Sequence, residues 1–356
     1  MKYLLIGFFT RTYMPYIDKY EKCLKEKHIE YDIVFFDRDN TQKNVIHEGN
    51  EFTYCHTTTT SRLKKLFPVF KYISFVKKLI KKNKYDKLIV MTTMPAVLLK
   101  PLLMGKYSER YIYDYRDTTY EHFNFFRKAV DKIIDHSYVT AMSSRGYLHV
   151  LSKNNKIIFN HNISNIDDAV SCTDKISEKH PVVIGFLGYV RYFDINSLLI
   201  KQFNNNPDYH LLYIGTPFSD CDLAEYAETV GANNVEVIGK YNNSDKAKLY
   251  ARIDIINSMY SLNSSEVQYA IPNRVYDAAL FKKPIMTTRG TYLSEIVDKY
   301  NLGFSVDPFS DDIPQKAHEY IESFDTGEFQ KACNMFLDLV IRDESLLTRK
   351  IMDFIG

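Results

Sequence analysis

Between Tyr269 and Thr288 the sequence reads YAIPNRVYDAALFKKPIMTT. Pro272 fits the first turn of a helix, where a missing N–H costs nothing. Asn273 and Asp277 stand four apart and Arg274 and Asp277 three apart, so the three share one face. The free N–H groups and partial positive charge of a helix start, joined by an arginine, make an anion site. A carboxylate one turn further in can accept hydrogen bonds from a vicinal diol. The group could therefore hold a ligand that carries both an anion and a diol. The same residues also fit an ordinary helix start with an exposed Arg–Asp pair.

A second polar group interrupts an apolar stretch at YIYDYRDTTYEHF, Tyr111 to Phe123. Asp114, Arg116 and Asp117 end a strand there, and His122 follows on the next helix. Charges at a strand terminus serve chemistry or ligand binding, because loops carry function on a rigid scaffold. A structural ion pair of Arg116 with Asp114 or Asp117 is the alternative. TRTY (10–13) ends the first strand and brings Thr10 and Arg11. No Asp-x-Asp pair stands at a suitable strand end; DRD (37–39) lies in the other half of the chain from the helix-start group. We therefore expect no metal and no cofactor in catalysis.

Such groups need strands to present them, and the chain supplies them. Apolar runs at 3–8, 31–37, 86–92, 110–115, 137–142 and 156–160 alternate with helical patterns such as 15–28. Runs this apolar imply a parallel sheet covered on both faces. The polar, turn-rich stretch 160–180 reads as a linker. The alternation restarts at 182–188, 209–215, 235–239, 253–258, 284–288 and 303–307. The 356 residues thus predict two doubly wound α/β domains, 1–163 and 164–337. Apolar positions Leu339, Val340, Leu346, Leu347, Ile351 and Ile355 predict a last helix, 338–356.

The order VVIGFLGYVR, LLYIG, VEVIGKYNNSDKAKLYARIDIINS, PNRVYDAALFKKPIMTT, GFSVDP resembles the donor domain of GT-B-fold glycosyltransferases of the large retaining family four. The N-terminal half resembles capsular and exopolysaccharide members more weakly, through PYIDKYEKCLKEKHIEYDIVFFDRDN and YDYRD. The resemblance implies two Rossmann-like domains facing across a cleft, with the last helix returning to the first domain. It also implies transfer of a hexose from a nucleotide sugar, UDP-linked, to a lipid-linked or polysaccharide glycan, with retention. Asp277 takes the place of the ribose-binding acid of the Glu-x7-Glu motif. Counting back eight positions meets Tyr269, not an acid, so Glu266 becomes the candidate beside the donor sugar, with a surface acid as its alternative. Gly188 and Arg191 match the loop that clamps the diphosphate. The family's loop lysine is missing, and Arg274 supplies the second charge. Lys240 and Tyr241 fall where the base lies, Tyr241 stacking or simply exposed. Asp117, with Asp114 and Arg116, resembles the strand end that meets the acceptor, and Thr10 and Arg11 form its opposite rim. Asp117, Arg191 and Arg274 are the candidates for the catalytic step.

The departures at Tyr269 and the loop lysine support a second function class, a GT-B-fold partner subunit that binds nucleotide or glycan without turnover. A nucleotide-sugar epimerase on the same fold would need more acids at the sugar than the donor loop offers.

Composition narrows the rest. The net charge of +2 gives no sign of a nucleic-acid partner. Five scattered cysteines without a Cys-x-x-Cys pair predict a reducing cytosol and no zinc site. MKYLLIGFF reads as a buried strand and not a signal peptide, and no run is apolar enough to span a membrane. Residues 62–87 carry ten basic residues against Asp86. Val69, Ile73, Val76 and Ile80 repeat there at helical spacing, with Tyr72 and Leu79 widening the stripe. That pattern predicts a peripheral contact with an anionic membrane; a sheet-covering helix with a solvated lysine face is the alternative.

Overall fold

The computed structural model describes residues 1–38, 45–56, 66–163, 176–218, 222–262 and 265–356. The chain divides into two units, Met1–His161 with Arg342–Gly356, and Asn162–Ile341.

The first unit is built on an eight-stranded sheet of β1 Lys2–Ile6, β2 Glu30–Asp37, β3 Val45–Glu48, β4 Glu51–Cys55, β5 Lys87–Met91, β6 Tyr111–Tyr115, β7 Val139–Met142 and β8 Ile157–Phe159. Their order is β3-β4-β2-β1-β5-β6-β7-β8, with every pairing parallel except β3 with β4. The β3–β4 hairpin is absent from the sequence reading. Its tight turn is Gly49-Asn50, with Gly49 at φ 59°, a conformation glycine adopts without the steric cost of a Cβ. The connecting helices are α1 Ile17–Glu26, α2 Leu66–Asn83, α3 Thr93–Leu98, α4 Lys100–Met104 and α5 Asn124–His136.

Helix α2 turns its apolar stripe inward. Val69, Tyr72, Ile73, Val76, Leu79 and Ile80 are all buried, with Tyr72 stacked on Phe36 of β2 at 4.9 Å. The apolar stripe covers the sheet and is not available to a lipid surface. Lys71, Lys77, Lys78, Lys81 and Lys82 stay exposed, and Phe67 and Phe70 beside them are more than half exposed. Arg62, Lys64 and Lys65 lie outside the described residues.

The second unit has a six-stranded parallel sheet of β9 Val182–Leu187, β10 Tyr209–Ile214, β11 Val235–Ile238, β12 Ile255–Ser258, β13 Ile285–Thr288 and β14 Gly303–Val306, in the order β11-β10-β9-β12-β13-β14. Its helices are α6 Phe193–Gln202, α7 Leu223–Thr229, α8 Lys246–Ala251, α9 Ser265–Tyr269, α10 Arg274–Phe281, α11 Tyr292–Tyr300 and α12 Ile313–Glu322.

The last helix, α13, runs from Thr326 to Ile355, well ahead of the start read from the sequence. Phe329, Cys333, Phe336, Leu337 and Val340 belong to the core of the second unit. Leu347, Ile351, Phe354 and Ile355 belong to the core of the first, with Tyr3, Leu5 and α1. Among the described residues no helix is long and apolar enough to cross a membrane. Cys23, Cys55 and Cys333 are free and buried; Cys172 and Cys221 lie outside the described residues, as does most of the expected linker.

Candidate functional site

In an open parallel sheet, ligands bind beyond the carboxyl ends of the strands where the strand order reverses. In the second unit that point lies between β9 and β12, the inner strands whose connections leave in opposite directions. The loops that open there are the ones the sequence singled out.

Gly188 follows β9 and Gly215 follows β10, both at strongly positive φ (137° and 141°). A Cβ built on Gly215 would sit 1.7 Å from the Gly188 carbonyl oxygen. Only glycine lets the two strand ends approach this closely. Arg191 follows, exposed, its guanidinium 5.3 Å from the Tyr189 ring and 5.4 Å from Phe218. Two aromatic faces give the cation a defined place without neutralising it.

Arg274 opens α10 and points back to the same edge. It stacks on Phe186 of β9 at 3.8 Å, donates to the Tyr260 hydroxyl at 2.7 Å and reaches the Asn257 carbonyl at 3.4 Å. Tyr260 is locked in turn: its N–H donates to the Thr288 hydroxyl, which donates back to the Tyr260 carbonyl, each at 2.9 Å. Asn273 is exposed at the N-cap position and makes no side-chain cap bond.

Asp277 is 3% exposed and already engaged. Lys246 reaches one carboxylate oxygen at 2.6 Å and the Tyr250 hydroxyl donates to the other at 2.9 Å. Both partners come from α8, the helix spelled by KAKLYA, which the sequence reading used only as a family landmark. The expected shared face of Asn273, Arg274 and Asp277 is therefore divided. Asn273 faces solvent, Arg274 turns to β9 and β12, and Asp277 is buried under α8. Tyr241 is half-buried, packed on the core behind α8. Burial raises its hydroxyl pKa and the nearby Asp277 carboxylate adds to that. Lys240 is exposed beside it. Glu266 lies in α9; its side chain lies outside what is described.

In the first unit the order reverses between β1 and β5. Asp114 near the end of β6 is fully buried: Tyr20 donates to it at 2.7 Å, the Arg116 Nη2 at 2.9 Å and Asn160 at 3.2 Å, and the Arg116 Nε is ion-paired with its other oxygen at 2.5 Å. Arg116 is 5% exposed and lies over the Tyr16 ring at 3.9 Å. Burial raises the Tyr16 hydroxyl pKa, with Asp114 contributing the same way. The ion pair of the alternative reading is thus the one formed, and Asp114 and Arg116 hold the strand end instead of facing a ligand. Asp117 beyond them is exposed, as is His122.

Arg11 corrects a second expectation. Its guanidinium is ion-paired with Asp18 at 3.1 Å, Glu21 at 2.6 Å and Glu51. Three carboxylates take its donors, so it fastens the β1 loop to α1 and β4 and does not offer a free rim. Thr10 next to it remains half-exposed.

One residue at this edge escaped the sequence reading. Thr92 follows β5 with φ 71° and ψ 160°, a region populated almost only by glycine. Its hydroxyl is buried and finds no hydrogen-bond partner among the described residues. No sequence pattern marks strain of this kind in Met-Thr-Thr-Met. Nor do the described residues contain a group of three or more His, Cys, Asp or Glu placed to hold a metal ion.

Three solved structures share this architecture over nearly their whole length. A UDP-forming α,α-trehalose-phosphate synthase from Burkholderia xenovorans superposes with a TM-score of 0.65 at 10% identity, covering 100% of this chain and 99% of the other. The lipopolysaccharide outer core galactosyltransferase WaaB gives 0.64 at 13% identity, covering 99% of each. MnaA from S. aureus, solved with UDP, gives 0.55 at 14%, covering 94% and 91%. The chain has the GT-B fold. Each unit carries a sheet that reverses its strand order beside its own first strand. No protein-family model matches the sequence and no curated protein does.

Proposed function

We propose that this GT-B protein is a glycosyltransferase that takes a hexose from a UDP-sugar and passes it, with retention, to a lipid-linked or polysaccharide glycan. The observation that carries this reading is the placement of Arg191 and Arg274 on the two segments that open at the strand-order reversal of the second unit, Arg191 in the loop after β9 and Arg274 against Phe186 of β9 and Asn257 of β12. Two arginines held by aromatic faces and a locked tyrosine form a fixed cationic seat for a diphosphate. As the glycosidic bond breaks, charge grows on that leaving group. Positive groups already in place stabilise it without reorganising. The leaving diphosphate then serves as base on the same face. Arg274 and Arg191 are the residues assigned to this step, with Asp117 presenting the acceptor in the first unit. Gly188 lets the chain approach the phosphates, Tyr241 and Lys240 flank the base, and Glu266 is assigned to the sugar. No resident metal enters the reaction; transfer is expected to persist in excess chelator.

The test is calorimetric. UDP should bind more tightly than GDP or dTDP. Arg191→Ala and Arg274→Ala should each lose about 1.5–3 kcal/mol, the range for a hydrogen bond to a charged group. Unchanged UDP affinity in both variants would sink the reading.

One observation favours the second class, a binding subunit without turnover. Asp277, the residue matched to the ribose acid, already has Lys246 and Tyr250 on its two oxygens. Release of UDP from a UDP-sugar by the wild type excludes that class.

A further inference from the structure

Asn196 and Asn257 are buried amides, 0% and 2% exposed, and neither belongs to the seat just assigned. Buried side-chain amides are costly unless every group is matched, and these two are matched to each other and to both arginine-bearing segments. The Asn196 amide nitrogen donates to the Arg191 carbonyl at 2.7 Å and to the Tyr192 carbonyl at 3.1 Å. Its oxygen accepts from the Asn257 amide at 3.2 Å. The Asn257 side-chain oxygen accepts from the Met259 N–H at 3.0 Å, which shapes the turn leading to Tyr260. The backbone carbonyl of Asn257 is the one that Arg274 reaches.

We infer that Asn196 and Asn257 are positioning residues that couple Arg191 to Arg274, so that the two arginines bind a diphosphate as one unit. The inference rests on the reading of those arginines as the diphosphate seat. Three features support coupling over mere packing. Tyr192, next to Arg191, sits in the left-handed region at φ 61°, a conformation that costs a non-glycine residue free energy and persists only where its surroundings impose it. The Asn196 amide holds that stretch of backbone from the helix, donating to the two consecutive carbonyls of Arg191 and Tyr192. The Tyr192 ring also meets the Tyr260 ring edge-on at 5.4 Å, and Tyr260 is the hydroxyl partner of Arg274. Two bridges therefore join the segments, one polar through the asparagines and one aromatic through the tyrosines. Without the polar bridge, the Arg191 loop keeps its charge but not its place.

The experiment is a double-mutant cycle read by calorimetric titration with UDP, with thermal unfolding recorded for every variant. Asn196→Ala should weaken UDP binding about tenfold, the lower end for a charged hydrogen bond. In an Arg191→Ala background the same change should have almost no further effect, because groups that act as one are not additive. Asn257→Leu, which fills the volume of the amide, should reproduce the loss and its dependence on Arg191. A purely structural role would lower the unfolding temperature and give the same loss in both backgrounds, which would overturn the inference. So would an Asn196→Ala variant that binds UDP as wild type does while Arg191→Ala does not. If Arg191→Ala itself leaves UDP affinity unchanged, it is the seat that is misassigned. If neither asparagine variant folds, the pair is a fold element and the coupling claim falls.

Discussion

Thr92 makes a prediction that needs no ligand. At an ordinary position, alanine is more stable than glycine by roughly 0.5–1 kcal/mol because glycine loses more backbone freedom on folding. At φ 71° and ψ 160° that order should reverse. Alanine keeps a Cβ in a region that costs about 1–3 kcal/mol, and glycine does not. Thr92→Gly should therefore unfold at a higher temperature than Thr92→Ala, measured by calorimetry on both; the opposite order would mean the backbone at this strand end is relaxed. At the same scale, residue types foretold less than residue surroundings. The places of Arg191 after a strand and of Arg274 at a helix start were legible because such motifs are local. The Lys246 partner of Asp277 stands 31 positions upstream, and the pairing depends on how α8 packs on α10, which no spacing rule contains. Arg11 failed for the same reason: Glu51 sits on a strand the sequence reading did not see.

Among the elements, long parallel strands were easy to read, since a strand buried on both faces is a continuous apolar run. The β3–β4 hairpin was not, because Val45 to Glu48 is exposed throughout and edge strands need no apolar pattern. Helix α2 shows a different ambiguity. A stripe at helical spacing looks the same whether it faces a sheet or a lipid, and here it faces the sheet. What remains for an anionic surface is the lysine face with Phe67 and Phe70 at its end, where Lys71 lies 4.5 Å over the Phe67 ring. We propose that this face makes the peripheral contact. Each lysine near a charged leaflet contributes about 1 kcal/mol, screened within about 8 Å at physiological salt. Changing Lys77, Lys78, Lys81 and Lys82 to glutamine should abolish co-sedimentation with phosphatidylglycerol vesicles at low salt. Nucleotide binding, which we assign to the other unit, should be untouched. Absence of wild-type sedimentation would leave these lysines as solvated cover.

At the scale of the molecule, the chain leaves the first unit after His161 and re-enters it at Arg342, and the two passages are fastened together. The His161 N–H donates to Glu344 at 2.7 Å, its ring lies 2.9 Å from Asp343, and Arg145 meets the same Asp343 oxygen at 2.5 Å. Lys19 joins Glu344 to Asn160. Burial alone would raise the Asp343 pKa, but the His161 hydrogen bond and the Arg145 charge outweigh it and hold it below the usual carboxylate value of 3.8. A depressed carboxylate stabilises the fold above its unfolded-state pKa and loses that contribution as pH falls through its folded value. The contribution of the Asp343 carboxylate to stability should thus hold down to about pH 5 and fade below about 4. Asp343→Asn should lower the unfolding temperature at pH 7 and shrink the gap to wild type in acid. A gap that is unchanged across that range would show that Asp343 keeps an ordinary pKa.

The division of α13 between two cores bears on the order of assembly. Leu347, Ile351, Phe354 and Ile355 fill the first unit beside Tyr3 and Leu5, more than 340 residues away along the chain. During synthesis, every residue of the second unit is made before those side chains. The half synthesised first is then the half completed last, against the usual N-terminal-first sequence of domain folding. A chain stopped after Ile341 and released from the ribosome should protect Val182 to Val306 from protease while Lys2 to Phe159 is still cut. Release of the final fifteen residues, Arg342 to Gly356, should then close the first unit in a single late step. Protection of both halves in the stopped chain would show that the early strands hold together without their distant helix.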